Sequence, residues 1–215
     1  MPELTTILRR AINPALRLLP HEMVSDEARQ LMLTIGLQES GFETREQYGG
    51  GPARSYWQFE LGTEASHGGI WGIYLHPASG PSLEYVCSRR DVAFDPDEIY
   101  DAMLSDDILG AACARLLMWT DPYAIPTEPE PAWHMYADRT WRPGKPRPDD
   151  WPGNYVQASQ VMADWDGVDH LPNVDLARLA RLRCLGAMLR DDPTRTIRVA
   201  PFPNPSRTGA TGKPR

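Results

Sequence analysis

Cysteine is scarce in this chain and badly spaced for structural chemistry. Cys87, Cys113 and Cys184 are odd in number and far apart, with no Cys-x-x-Cys pair, so neither a disulfide framework nor a zinc knuckle is indicated. They read as reduced, buried thiols. The histidines His21, His67, His76, His134 and His170 never form His-x-x-x-His, which leaves a metallopeptidase site unsupported and no metal to expect. A Gly-x-Ser-x-Gly nucleophile elbow is missing, as are Gly-x-Gly-x-x-Gly and Gly-Lys-Ser/Thr phosphate loops. Serine hydrolases of that form and nucleotide enzymes are set aside, and no cofactor is expected.

Positive charge is also in short supply. Lys and Arg number 22 against 29 Asp and Glu, a formal net charge of -7, so the surface as a whole repels phosphate and nucleic acid is not an expected partner. Long apolar runs are absent too. Arg9, Arg10, Asn13 and Arg17 interrupt residues 1–20 every few positions, which excludes the continuous core of a secretory signal, and no segment is expected to insert in a membrane.

What the chain does have is ordinary globular composition, 41% apolar and 24% charged, together with 21 prolines and 7 tryptophans. A length of 215 residues suits one domain over 1–190 and a Pro/Arg-rich tail over 191–215 with no apolar period. The spacing of Leu4, Leu8, Ile12, Ala15, Leu16 and Leu19 predicts an amphipathic helix over 5–19. Ser25 as N-cap, Asp26 and Glu27 in the first turn and Gly41 as a stop predict a second over 26–40. Residues 41–54 are loop by composition, and the alternation of Trp57, Phe59 and Leu61 with Tyr56, Gln58 and Glu60 predicts a short strand over 55–61. Residues 68–81 read as loop or another short strand. Ser105 is the expected cap of a core helix carrying Ile108, Leu109, Ala112, Cys113, Leu116 and Leu117. Shorter helices are expected over 132–140, 154–164 and 174–190, joined by proline-rich loops. The fold class is α+β, mainly α.

One residue stands out chemically. At about 100° per residue, Glu39 falls between Met32 and Ile35 and close to Ala28, so a carboxyl points along the inward stripe of the second helix. Burial disfavours its charged form and keeps a proton available near neutral pH for donation to a leaving oxygen, which is what a glycosidase acid requires. On helix geometry alone, a buried Glu paired with an Arg or bonded to backbone is the commoner outcome.

The surrounding sequence adds a family. Ile35-Gly36-Leu37-Gln38-Glu39-Ser40-Gly41-Phe42 resembles the Glu-Ser helix end of lytic transglycosylases and goose-type lysozymes, and the stretch from Gly51 to Gln58 is similar to their downstream Gly…Gln segment. Gly49-Gly50-Gly51-Pro52-Ala53 followed by Tyr56-Trp57-Gln58-Phe59-Glu60 resembles the version found in bacteriophage proteins. The resemblance implies a lysozyme-like fold over 1–190, a helical body and small β region flanking a glycan-binding cleft, with Glu39 as general acid/base. Ala132-Trp133-His134-Met135-Tyr136 is similar to the helix start whose Tyr approaches the catalytic Glu in lytic transglycosylases. Tyr136 is the match, although Ala137 and Asp138 stand where that family has Asn and Gly.

The implied activity is cleavage of the β-1,4 bond between N-acetylmuramic acid and N-acetylglucosamine in peptidoglycan, by transglycosylation or by hydrolysis. Hydrolysis needs a second carboxylate. Glu60 is the best placed; nothing fixes the direction of Glu43, Glu46 or Glu64. Gln58 is a candidate for orienting an N-acetyl group or a water, and Ser40 completes the Glu-Ser pair. Trp133 and Tyr56 are the aromatics expected to line the cleft, because each lies beside an implicated segment. Expected partners are peptidoglycan glycan strands and other phage virion proteins. Without a signal peptide, the protein would reach the wall from a virion or from the host cytoplasm. The competing expectation is a non-catalytic structural or adaptor protein of a phage particle on the same scaffold.

Overall fold

The structure, a computed structural model, describes residues 3–47 and 49–165. The expected helix over 174–190 and the tail over 191–215 lie outside the described residues. The chain opens with α1 (Leu4–Ile7) and α2 (Asn13–Leu16), joined by a π-helical stretch, Leu8–Ile12. Pro14 explains the π turn: its ring lacks an N–H to donate and crowds the carbonyl one turn back, so the ladder widens just before it. Leu8, Ile12, Ala15 and Leu16 are buried along this rod, while Arg9 and Arg10 meet water.

Next comes α3 (Asp26–Glu39). Ser25 Oγ accepts a hydrogen bond from Ala28 N at 3.1 Å, and Asp26 and Glu27 lie where the helix dipole favours negative charge. The expected single inward stripe is replaced by burial on nearly every side, since α7 (Asp107–Trp119), α9 (Trp151–Ala163) and the π stretch all pack on α3. Arg29 is buried there as well, its Nε donating to Asn13 Oδ1 at 2.9 Å.

Left-handed backbone at Gly41 (φ 61°) and Phe42 (φ 57°) ends α3 abruptly and folds the Phe42 ring back onto Gly36. Any Cβ at position 36 would lie 2.1 Å from that ring. Phe42 meets Tyr56 and Trp57 edge-on, at 5.5 and 5.8 Å between centroids, and Trp57 Nε1 donates to Met32 O at 2.9 Å. The segment after the Gly-rich loop is thereby pinned to the end of α3.

That segment is not the strand expected over 55–61. Arg54 and Phe59 exchange backbone hydrogen bonds of 2.8 and 2.7 Å, and residues 55–58 turn tightly between them. Positive φ at Ser55 (65°) and Gln58 (51°) destroys the period-2 geometry, which is why the neighbours Tyr56 and Trp57 are both buried. Among the described residues the β region amounts to two isolated antiparallel bridges, Glu46 with Arg54 and Arg54 with Phe59. With 57% of the described residues in helix and 2% in strand, the mainly helical expectation holds and the β region is smaller than expected.

Residues 68–81 also differ from expectation, holding α4 (Gly69–Leu75) and the start of α5 (Gly80–Arg90). Gly69, at φ 58°, is required for close approach, because a Cβ there would stand 2.1 Å from Glu60 O. Asp95 caps α6 (Pro96–Ala102), a helix the apolar spacing did not reveal. Helix α7 is capped by Asp106, not Ser105: the Asp106 carboxylate accepts from Ile108 N and Leu109 N, both at 3.0 Å. Cys87 and Cys113 are buried free thiols on α5 and α7. Farther on, α8 (Pro129–His134) runs into a second π-helical stretch, Met135–Thr140, and α9 closes against α3. Among the described residues no helix is long and apolar enough to cross a membrane.

The Gly36–Phe42 contact yields a stability prediction with opposing terms. Alanine is the better helix former by about 1 kcal/mol, but overpacking against an aromatic ring costs about 1–3 kcal/mol. Gly36→Ala should therefore lower the urea midpoint with the slope unchanged. A variant as stable as wild type would mean that Phe42 does not rest on α3.

Candidate active site

Glu39 is the last residue of α3, and its carboxyl opens onto a cleft of about 1850 Å³. The Tyr136 hydroxyl donates to Glu39 Oε1 at 2.7 Å. Tyr136 comes from the π-helical stretch after α8, and aromatic packing fixes its ring. It stacks on Trp151 at 5.0 Å with 13° between planes, and lies 5.5 Å from Trp133 and 6.2 Å from Trp141. Two of these indoles are themselves anchored, Trp151 Nε1 to Pro129 O at 2.7 Å and Trp141 Nε1 to Trp57 O at 3.0 Å. The phenol is thus delivered to the carboxyl by a braced cluster of rings.

Burial pushes the Glu39 pKa up from 4.5 to about 7, against the smaller opposing effects of the Tyr136 hydrogen bond and the positive charge of Arg147. Among the described residues, no ion pair is made to Glu39. The Arg147 guanidinium instead donates to the Gln38 carbonyl and lies 3.5 Å from Asp150. Tyr136 is pushed above its ordinary range, first by burial and then by the neighbouring carboxylate, so its hydroxyl keeps its proton and acts as donor. With Oε1 accepting that bond, the carboxyl proton belongs on Oε2.

The other expected site residues divide into two groups. Ser40, Gln58 and Glu60 line the cleft with Glu39 and Tyr136. Ser40 Oγ donates to Tyr56 O at 2.7 Å and accepts from Phe42 N at 3.1 Å, so its visible work is to join the end of α3 to the 55–58 turn. Gln58 Nε2 donates to Ser55 O at 2.8 Å, within the same turn. Glu60 is exposed, and the strand face it was expected to share with Gln58 does not exist.

Tyr56 and Trp133 are corrections. Neither is among the residues lining the cleft. Tyr56 is only 7% exposed, packed on Phe42 and Trp57 with the Arg45 guanidinium 4.4 Å over its ring. Trp133 supports Tyr136 from behind, 5.4 Å from Trp151. The tryptophan that lines the cleft is Trp141.

Sequence reasoning missed a polar clamp beneath the carboxyl. Gln38, 2% exposed, donates through Nε2 to Arg147 O at 2.9 Å and accepts through Oε1 from Asn154 Nδ2 at 2.8 Å. These bonds tie the 143–150 loop and α9 to the last turn of α3. Their partners are over a hundred positions away in sequence, and nothing in local spacing connects them. Comparison with protein-family models, curated proteins and solved structures finds no match.

A carboxyl whose folded pKa exceeds its unfolded value holds its proton more tightly in the native state, so native stability falls as pH rises from about 4.5 to about 7. The loss is at most on the order of 3 kcal/mol, less whatever water in the cleft screens. Glu39→Gln has no charge to bury. Urea unfolding should show the variant gaining on wild type between about pH 5 and about pH 8, whereas a constant difference would mean Glu39 titrates as an ordinary carboxyl.

Proposed function

We propose that this protein is a peptidoglycan-cleaving glycosidase of lysozyme-like kind, with Glu39 as general acid/base and the cleft as its glycan site. The observation that carries the reading is a carboxyl raised to about 7, bonded at 2.7 Å by a tyrosine and open to a cleft large enough for several sugar rings. Protonated Oε2 donates to the glycosidic oxygen between N-acetylmuramic acid and N-acetylglucosamine as that bond breaks. The resulting carboxylate, stabilised by the Tyr136 hydroxyl, then removes a proton from the incoming nucleophile.

Two nucleophiles fit this cycle. In transglycosylation the muramic 6-hydroxyl attacks its own anomeric carbon, so one carboxyl serves first as acid and then as base. Hydrolysis uses water and a second carboxylate, for which Glu60 lines the cleft, as does Glu43. Transglycosylation is preferred here because the single group Glu39 satisfies it. The sequence likeness to bacteriophage proteins extends the proposal to a phage protein, carried in the virion or released in the host, acting on the bacterial wall.

Zymography on purified peptidoglycan is the test. Wild type should clear the gel and Glu39→Gln should not, because an amide cannot donate the proton. Clearing by neither protein contradicts the enzyme and favours a structural role in a phage particle, while clearing by both contradicts Glu39 as the acid. Mass spectrometry should find anhydro-muramic ends; reducing ends would assign hydrolysis.

Tyr136→Phe gives a second expectation with a definite sign. The lost hydrogen bond favours the charged carboxyl, so its removal raises the Glu39 pKa and moves the alkaline limb of the pH–rate profile upward, while the maximal rate falls. A limb that stays in place would show that Tyr136 does not act on the acid.

A further inference from the structure

In a chain of net charge -7, Arg139, Arg142, Lys145 and Arg147 fall within nine residues, 139–147, that contain no Asp or Glu. All four line the cleft. The segment is held beside the catalytic carboxyl: Trp141 Nε1 bonds Trp57 O, the Arg147 guanidinium bonds the Gln38 carbonyl, and its positive charge is felt by Glu39.

Of the acids that line the cleft with Glu39, Glu43 and Glu60 form no ion pair with this segment among the described residues, and the other three are already paired. Asp121 is committed to Arg139 at 2.8 Å, Asp150 to Arg147 at 3.5 Å, and Asp138 to His134 at 2.6 Å. Arg142 donates only to the Arg139 carbonyl, at 3.3 and 3.2 Å, which leaves its charge uncompensated. Among the described residues neither Arg142 nor Lys145 has an acidic partner, and both are exposed. Two cations are therefore presented to whatever occupies the cleft. A neutral glycan offers them oxygen acceptors but no counter-charge, while a carboxylate carried close to the scissile bond offers one to both.

We infer that the wall formed by residues 139–147 recognises a carboxylate on the lactyl arm of the muramic residue, so that Arg142 and Lys145 select muramyl glycans over neutral N-acetylglucosamine chains. This rests on the glycan-cleaving reading and adds the substrate feature that the cleft selects. The lactyl arm leaves the sugar two carbons from the anomeric centre. Its anion is either the lactyl carboxylate itself, when no peptide is attached, or a carboxylate of the stem peptide.

The experiment is calorimetric titration of full-length Glu39→Gln, which cannot turn ligand over, with three glycans of equal length. These are a muramyl tetramer with free lactyl groups, the same tetramer with stem peptides, and chitotetraose. At least one muramyl ligand should bind roughly tenfold tighter than chitotetraose, as two partly exposed charge pairs allow, and added salt should erode the difference. The stronger muramyl ligand identifies the source of the carboxylate. Adding Arg142→Ala and Lys145→Ala should abolish the preference and leave chitotetraose affinity unchanged, which a folding defect would not do. Equal binding of all three glycans, or a preference that survives the double substitution, overturns this inference and leaves the glycosidase reading standing. Failure to bind any of the three overturns both.

Discussion

A carboxyl at the end of a central helix has two ways to exist in a folded protein: it can find a cation, or it can keep its proton. Glu39 takes the second course. The guanidinium whose charge acts on it, that of Arg147, is occupied by the Gln38 carbonyl and Asp150, and the group that touches the carboxyl is a neutral phenol. A phenol donor steadies the anion without fixing it as one, whereas a close guanidinium would pull the pKa below the ordinary carboxylate range. The balance between burial and one hydrogen bond therefore decides whether an acid is available near neutral pH.

Much of the fold serves that balance. Left-handed backbone at Gly41 and Phe42 stops α3 with Glu39 as its final residue, and the Phe42 ring locks onto Gly36 one turn earlier. From the other side, the π-helical stretch Met135–Thr140 turns Tyr136 inward, and Trp133, Trp141 and Trp151 hold the phenol in place. The π turn matters because it changes helical phase within one turn, which sets the direction of the side chains it carries. Below the carboxyl, the Gln38 clamp joins the 143–150 loop to α9 and so keeps one wall of the cleft in register with the acid.

The helix ending at Glu39 and its Ser25 cap were legible in sequence because both rest on local rules, capping chemistry and the helix dipole. The likeness around residues 132–136 also pointed to Tyr136, which does reach Glu39. The strand over 55–61 was misread because alternating apolar residues fit a tight turn equally well once Ser55 and Gln58 adopt positive φ, which their side chains do not announce. Helix α4 was hidden by glycines at 68, 69 and 72, which signal a loop locally, although in the structure Gly69 and Gly72 admit the carbonyls of Glu60 and His67. Choosing among tryptophans failed for a related reason. Proximity in sequence favoured Trp133, while packing turned it behind Tyr136 and gave the cleft to Trp141. The Gln38–Arg147–Asn154 contacts are purely tertiary and carry no local signal.

Charge follows the same division between global and local. An acidic chain argues against an anionic ligand only when its charge is spread evenly, and here a nine-residue segment free of acids stands on one wall of the cleft. The proposed chemistry depends on the protonation of Glu39, and the most direct measurement is a carbon NMR titration of the side-chain carboxyls, with Glu39→Gln assigning the resonance. A midpoint near 7 is the predicted result. A midpoint near the ordinary 4.5 would contradict it, because the carboxyl would then be ionised wherever the protein is expected to work.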